Sequence, residues 1–234
     1  DLGTVVTSSD LADIKALTTG TVTVSLSGTT VTATSLNSLD TSSTETVNAA
    51  GVTTITGAAA DVNSAYASTG ISGLGNEAIT LTDTSASASA LTTLDGNTSG
   101  TIDANTVTTL TGSTADITSL TQSTGITFGT KVGGTINDVS VSATALNTLD
   151  TLAGGTLNAS SVKTITGSGT DALTAFESSG ISGLTFDASS YLASHTDLLA
   201  AYGSDLTLSR AHYFAFGSAE GRSFDSFDET SYLA

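Results

Sequence analysis

Leucine, isoleucine and valine return at short, regular intervals along most of the chain. LNSLD at 36–40, LTTLD at 91–95 and LNTLD at 146–150 each place two leucines three positions apart, which is typical of one side of a short helical turn. VTTLT at 107–111 and NDVSVSA at 137–143 place Thr or Ser between apolar residues, the alternation of a strand. The pattern therefore predicts short strands joined by short helical turns.

The same pattern repeats at a fixed period. VTTITG at 52–57 returns as VTTLTG at 107–112 and as VKTITG at 162–167, and no insertion breaks the register. Fixed-period self-similarity indicates an array whose units bury their apolar faces against one another. We therefore predict a mainly β fold, a parallel β-solenoid of 55-residue repeats with two coils each and short helical turns. Gly125 is expected to supply the positive φ of a turn in such a coil.

The domain boundaries follow this period. The repeat domain is predicted over 1–185, ahead of a small α-helical module at 186–234. The three full repeats lie near 22–76, 77–131 and 132–185, with a partial unit before residue 22.

Most of the aromatic residues and both histidines lie from residue 186 onwards. Apolar residues at helical spacing predict two helices there. Asp187 or Ser190 is expected to cap the first helix, and Gly203 to end it. FDASSYLA, which begins at residue 186, returns as FDETSYLA at 227–234, which indicates a second, truncated copy of the module and a longer parent protein.

Charge narrows the range of partners. The chain has 22 acidic residues against 5 Lys and Arg, for a net charge of -17, and no Lys or Arg lies between Lys15 and Lys131. No basic stripe exists to displace the counterions of a nucleic acid, so we predict no nucleic-acid partner. No apolar stretch approaches the length of a membrane span. Such an excess of carboxylates favours a cation, and Ca²⁺ prefers oxygen ligands.

The repeated carboxylates are the candidate calcium ligands. Asp40, Asp95 and Asp150 follow the leucine pairs, and Asp103 is a fourth candidate. The alternative for the first three is helix and turn capping, at which Asp excels. Two further sets recur at the same period. The set Asp61, Asp116 and Asp171 is predicted to cap helices, and the set Asn48, Asp103 and Asn158 to satisfy backbone groups at a corner.

Catalytic signatures are missing from the sequence. The two histidines, His195 and His212, lie on apolar helix faces, and no P-loop, dinucleotide fingerprint or nucleophile elbow occurs. We therefore predict that the chain is not an enzyme. The alternation of Thr with Val at 21–35 raises ice binding as an alternative, although later repeats do not keep a strict row of threonines.

Two stretches resemble known protein classes. The units of the type LNTLD…GTLNASSVKTITG…DALTAFESSGISGL resemble repeats of very large secreted surface proteins of marine cyanobacteria and other bacteria. The segment YLASHTDLLAAYGSDLTLSRAHYFAFGSAEGRSFD resembles a module of exported, often calcium-associated proteins of haemolysin-like architecture. The resemblance implies an extracellular, cell-surface structural protein of an S-layer, filament or matrix that self-associates as an oligomer or polymer. The alternative is an adhesin, or a calcium-dependent segment that binds a glycan or cell-surface partner.

Overall fold

The computed structural model describes residues 25–27, 30–43, 45–129, 131–217 and 219–222. Over these residues helix makes up 43% and strand 27%, and parallel sheets are interleaved with helices in an α/β fold. Within the same residues no helix is long and apolar enough to cross a membrane. The partial repeat before residue 22 and the second module copy at 227–234 lie outside them.

The helices are, in chain order, α1 (Ala33–Ser42), α2 (Ala59–Ala67), α3 (Ala88–Asn97), α4 (Thr114–Thr121), α5 (Ala143–Ala153), α6 (Gly169–Glu177), α7 (Ala188–Ala193), α8 (Thr196–Tyr202) and α9 (Leu206–His212), followed by a π-helical turn (Tyr213–Gly217). The strands are β1 (Ser25–Ser27), β2 (Thr30–Thr32), β3 (Val47–Gly51), β4 (Thr54–Gly57), β5 (Ile71–Ser72), β6 (Ala78–Leu81), β7 (Ser85–Ser87), β8 (Ile102–Ala104), β9 (Thr109–Gly112), β10 (Ile126–Phe128), β11 (Val132–Ile136), β12 (Ser140–Ser142), β13 (Gly154–Asn158), β14 (Thr164–Thr166) and β15 (Ile181–Ser182).

The prediction of a mainly β fold, a parallel β-solenoid with short helical turns, was wrong. Helix exceeds strand, and the segments predicted as single turns are helices such as α1, with 10 residues, and α5, with 11. Capping by serine and threonine favours helices over single turns, because a cap hydroxyl satisfies one of the unpaired N–H groups at a helix N-terminus. Thr32 caps α1, and inside that helix the Thr41 hydroxyl donates to the carbonyl of Asn37 at 2.8 Å. Thr32 also ends β2, so the alternating run at 21–35 does not continue as one strand.

The chain divides into two compact units, Asp1–Gly134 and Thr135–Ala234. The first unit contains a five-stranded parallel sheet with the order β10-β8-β6-β4-β2. Its strands β2 and β4 come from the repeat near 22–76, and the other three come from the repeat near 77–131. A column of buried apolar side chains runs across the sheet: Val31, Ile55, Ile79, Ile102 and Ile126.

Successive helices of the first unit pack side by side, α1 on α2, α2 on α3 and α3 on α4. Asparagine side chains tie the neighbours together. The Asn37 amide donates to the carbonyl of Asp61 at 3.0 Å, and the Asn63 amide donates to the carbonyl of Ala90 at 2.9 Å. The unit also contains the three-stranded parallel sheet β1-β3-β5 and the parallel pair of β7 with β9.

The second unit holds the third repeat together with the helical module. Strands β12 and β14 pair in parallel, as do β13 and β15, and α5 packs on α6. In the module, Asp187 caps α7 and Gly203 ends α8, as predicted. The helix predicted from Tyr191 to Tyr202 is divided in two at Ser194 and His195, since His195 has an extended backbone.

The module is seated on α6 through its π-helical turn. A Cβ at Gly169, in the first turn of α6, would overlap the backbone carbonyl of Phe214. The residues one and two periods earlier are Thr114 and Ala59, so only the repeat that carries the module has a glycine here. Close approach of the two backbones therefore requires the missing side chain.

Candidate functional site

One carboxylate arrangement recurs in each of the three full repeats. An aspartate in the second half of a helix accepts a hydrogen bond from a serine hydroxyl 28 residues later, and that hydroxyl accepts one from the N–H of a glycine two residues further on. We call this arrangement the Asp–Ser–Gly clamp. Its members are Asp40, Ser68 and Gly70, then Asp95, Ser123 and Gly125, then Asp150, Ser178 and Gly180.

The three clamps have closely similar geometry. The distance from the serine Oγ to the aspartate Oδ2 is 2.6 Å in the first clamp, 2.9 Å in the second and 2.6 Å in the third. Each clamp joins the end of one helix to the loop that follows the next helix. Helix capping does not explain these aspartates, because the C-terminal part of a helix disfavours a negative charge.

The clamp requires glycine because a side chain would not fit there, and not because the backbone has a positive φ. Gly125 was expected to have a positive φ, but it does not adopt one. A Cβ on Gly125 would overlap Oδ1 of Asp95, and the same holds for Gly70 with Asp40 and for Gly180 with Asp150. The glycine therefore leaves room for the carboxylate.

Calcium at these aspartates stays a prediction. A protein site for Ca²⁺ needs six to eight oxygen ligands, whereas one clamp brings one carboxylate and one hydroxyl. In the described part of the chain, no three side chains of His, Cys, Asp or Glu gather into a group that could hold a metal ion. The fourth candidate, Asp103, accepts a hydrogen bond from the N–H of Asn105 at 3.0 Å.

That contact belongs to a second recurring feature, a side-chain turn that lies within β3 and at the ends of β8 and β13. The side-chain oxygen accepts the N–H two residues on, which confirms the predicted corner role. The three bonds are Asn48 to Ala50, Asp103 to Asn105 and Asn158 to Ser160.

The aspartates predicted as helix caps lie inside the helices instead. Ser113 caps α4 and Ser168 caps α6, and Asp116 and Asp171 are the third helical residues. The Ser113 hydroxyl accepts the N–H of Asp116 at 3.1 Å and donates to its carboxylate at 2.7 Å. A serine at the cap position thus took the role that the pattern assigned to Asp. Asp61 has the same position in α2, after Ala58.

A buried carboxylate that the sequence did not suggest lies in the loop before β6. Glu77 is fully buried, and its Oε2 accepts the hydroxyl of Tyr66 at 2.7 Å and the N–H groups of Gly75 and Asn76. Its other oxygen, Oε1, has no hydrogen-bond partner. Burial and the bond to Glu77 raise the pKa of Tyr66 well above its usual value of 10.

The histidines of the module take part in packing. The hydroxyl of Tyr191, a fully buried residue, lies 3.1 Å from Nδ1 of His212, and the ring of His195 lies edge-on to Tyr191 with centroids 4.7 Å apart. Arg222 forms a bidentate ion pair with Asp197 at 2.8 and 3.0 Å. That pair lowers the pKa of Asp197 to about 2.

A groove of about 270 Å³ lies in the second unit, beside β14. One side is the segment from Val162 to Ile165, which includes the start of β14, and the other side is aromatic. The aromatic residues are Phe176, Phe186, Tyr213 and Phe214.

Comparisons of the chain with protein-family models, with curated proteins and with solved structures found no match.

Proposed function

We propose that this chain is a non-catalytic structural element of a bacterial extracellular surface layer, filament or matrix. It acts through a stiff array of repeats and through self-association. The observation that carries the proposal is the Asp–Ser–Gly clamp, which is built in the same way in each of the three repeats. A catalytic site needs one arrangement of reactive side chains at one place in the chain. A clamp that recurs once in every repeat is instead suited to holding together an array that grows by adding repeats.

The contacts between neighbouring helices support stiffness. Each clamp spans 28 residues, and the asparagine bonds from α1 to α2 and from α2 to α3 span 24 and 27. All of them join successive layers rather than neighbours in sequence. Charge-assisted hydrogen bonds such as that of Ser123 to Asp95 are stronger than neutral ones, so each clamp anchors one helix to the layer that follows it within the same unit.

Sedimentation velocity over a wide range of protein concentration, together with electron microscopy, tests the proposal. We expect concentration-dependent association into ordered assemblies at the moderate ionic strength that screens the net charge of -17. Purely monomeric behaviour at every concentration and ionic strength would exclude a self-associating role.

A ligand-binding segment of an adhesin is the second candidate, and the aromatic groove beside β14 favours it. Aromatic faces and one nearby cation, Lys163, are suited to a sugar ring that carries an acidic group. Calorimetric titration with neutral and acidic oligosaccharides tests this, with Phe186→Ala as the groove variant. Thermal melting with Ca²⁺ and with EDTA tests the calcium prediction, since superimposable curves would remove calcium from either function.

A further inference from the structure

The outer face of the sheet β10-β8-β6-β4-β2 is built mostly of threonine. The strand residues on either side of the buried column that runs from Val31 to Ile126 are exposed or partly exposed. These residues are Thr30, Thr32, Thr54, Thr56, Ala78, Thr80, Asp103 and Thr127. All but Ala78 and Asp103 are threonine, and we call this set the threonine face.

The register of the strands arranges the threonine face in two rows. The first row pairs Thr30 with Thr54 and continues to Ala78. The second row crosses all five strands, and its members are, in order, Thr32, Thr56, Thr80, Asp103 and Thr127. Neighbours in a row lie about 4.8 Å apart, and the two rows lie about 6.6 Å apart along each strand.

These rows join segments that differ in sequence. The alternation at 21–35 raised ice binding, and the later repeats counted against it because none of them keeps a strict row of threonines. In the structure, however, Thr32 lies opposite Thr56 and Thr56 opposite Thr80, at a spacing of less than half a repeat. A row is therefore assembled from different parts of the repeat, and the comparison of one repeat with the next does not reveal it.

The chemistry of the threonine face differs from that of the chain as a whole. The chain has a net charge of -17, whereas Asp103 is the single charged member of this face. A charged side chain holds its own hydration shell, which does not fit a crystal of water, but a hydroxyl can donate and accept as a water molecule does. Threonine is also stiff at χ1, so its methyl and hydroxyl groups keep their places without a large loss of entropy.

We propose that the threonine face binds the surface of ice. The spacings of about 4.8 Å across the strands and about 6.6 Å along them are near the repeat distances of water oxygens on the prism faces of ice. Hydroxyls in such rows, with water held between the methyl groups, match the lattice at many points at once. This function goes beyond the proposed structural role and does not rest on self-association, since one copy of the chain carries the whole face.

Retention in ice tests the proposal. The parent chain is labelled with an amine-reactive dye, because no lysine lies in the threonine face. Ice is then grown slowly on a cooled probe in a dilute solution of the labelled chain, and the dye in the ice is compared with that of a labelled acidic protein that ice excludes. We expect the parent chain to be retained. Exclusion of the parent chain to the same extent as the comparison protein would overturn the proposal.

A bulky residue at the centre of the second row is the second test. Tyrosine has high strand propensity, so Thr80→Tyr keeps the strand but places a ring on a face that must lie against a crystal. Thr93→Tyr is the matched control, because Thr93 is exposed on α3 and lies outside the threonine face. We expect Thr80→Tyr to lose most of the retention and Thr93→Tyr to be retained like the parent, with unchanged far-UV spectra for both.

Thr127→Tyr, at the end of the second row on β10, takes the place of Thr80→Tyr if that variant does not fold. A folded variant with tyrosine in the row that is retained like the parent would show that another surface binds the ice, and an equal loss in Thr93→Tyr would show the same. Either result contradicts the proposal. Sedimentation of the same samples reports self-association separately, so failure of one proposal leaves the other standing.

Discussion

Gly125→Ala should destabilise the chain because the added Cβ displaces the carboxylate of Asp95. Gly125 has no positive φ, so the alanine backbone is not strained. The Asp95 side chain can swing away, and the loss is then the hydrogen bond from the Ser123 hydroxyl, which is 2.9 Å long. A bond to a charged group contributes about 1.5–3 kcal/mol, and Gly→Ala alone returns about 0.4–1 kcal/mol. The free energy of unfolding should fall by about 1–2 kcal/mol.

Gly96→Ala is the matched control. Gly96 lies in α3, and nothing lies within 4 Å of a Cβ placed on it. Alanine at this helical position should raise the free energy of unfolding by about 0.5–1 kcal/mol. Urea denaturation followed by far-UV circular dichroism measures both variants, and the two changes should have opposite sign.

A double-mutant cycle isolates the clamp. In an Asp95→Ala background no carboxylate is left to displace, so Gly125→Ala should there be neutral or stabilising. The reasoning is refuted if Gly125→Ala stabilises the parent chain as Gly96→Ala does, or if its cost persists after the carboxylate is removed.

Three further outcomes follow from single contacts. Gly169→Ala should unseat the π-helical turn, because the new Cβ meets the backbone carbonyl of Phe214, and near-UV circular dichroism of the aromatic cluster should collapse while the far-UV spectrum changes little. The pKa of Tyr66 is raised, so its protonated hydroxyl contributes fully to the free energy of unfolding below about pH 10, and the contribution is lost as pH rises further. Alkaline titration should therefore destabilise the parent chain more than the Tyr66→Phe variant. Hydrogen bonds from Ser189 and Ser190 lower the pKa of Asp187 from 3.8 to about 2. The contribution of its carboxylate to the free energy of unfolding should therefore be present above about pH 4 and lost as pH falls toward 2. Thermal melts at acid pH should show this loss in the parent chain and not in the Asp187→Asn variant.

The period of the repeats could be predicted because each anchor position has one packing role in every repeat. The pairing of strands in the sheet β10-β8-β6-β4-β2 could not be predicted, because neighbouring strands come from different parts of the repeat. Val31, Ile55 and Ile79 form one column at a spacing of less than half a repeat, but the sequences around them differ. The length of the helices could not be predicted either, because Ser and Thr have only moderate helix propensity, and segments rich in them did not indicate helices of 10 or 11 residues.

The repeat period indicated the aspartates of the candidate site but neither their serine partners nor Glu77. Asp95 stood out because Asp40 and Asp150 recur with it, yet its serine partner is a contact across 28 residues that no local pattern indicates. Glu77 was missed for the opposite reason. It occurs once, where the other repeats have Val22 and Val132, and a search for recurring residues passes over it.

The sheet that crosses the boundary between the first two repeats has a mechanical consequence. Its strands β2 and β4 belong to one repeat, and β6, β8 and β10 belong to the next. The boundary between the two repeats therefore lies inside one hydrogen-bonded sheet, to which both repeats contribute strands. A pulling force cannot separate the first repeat from the second without breaking the backbone hydrogen bonds between β4 and β6.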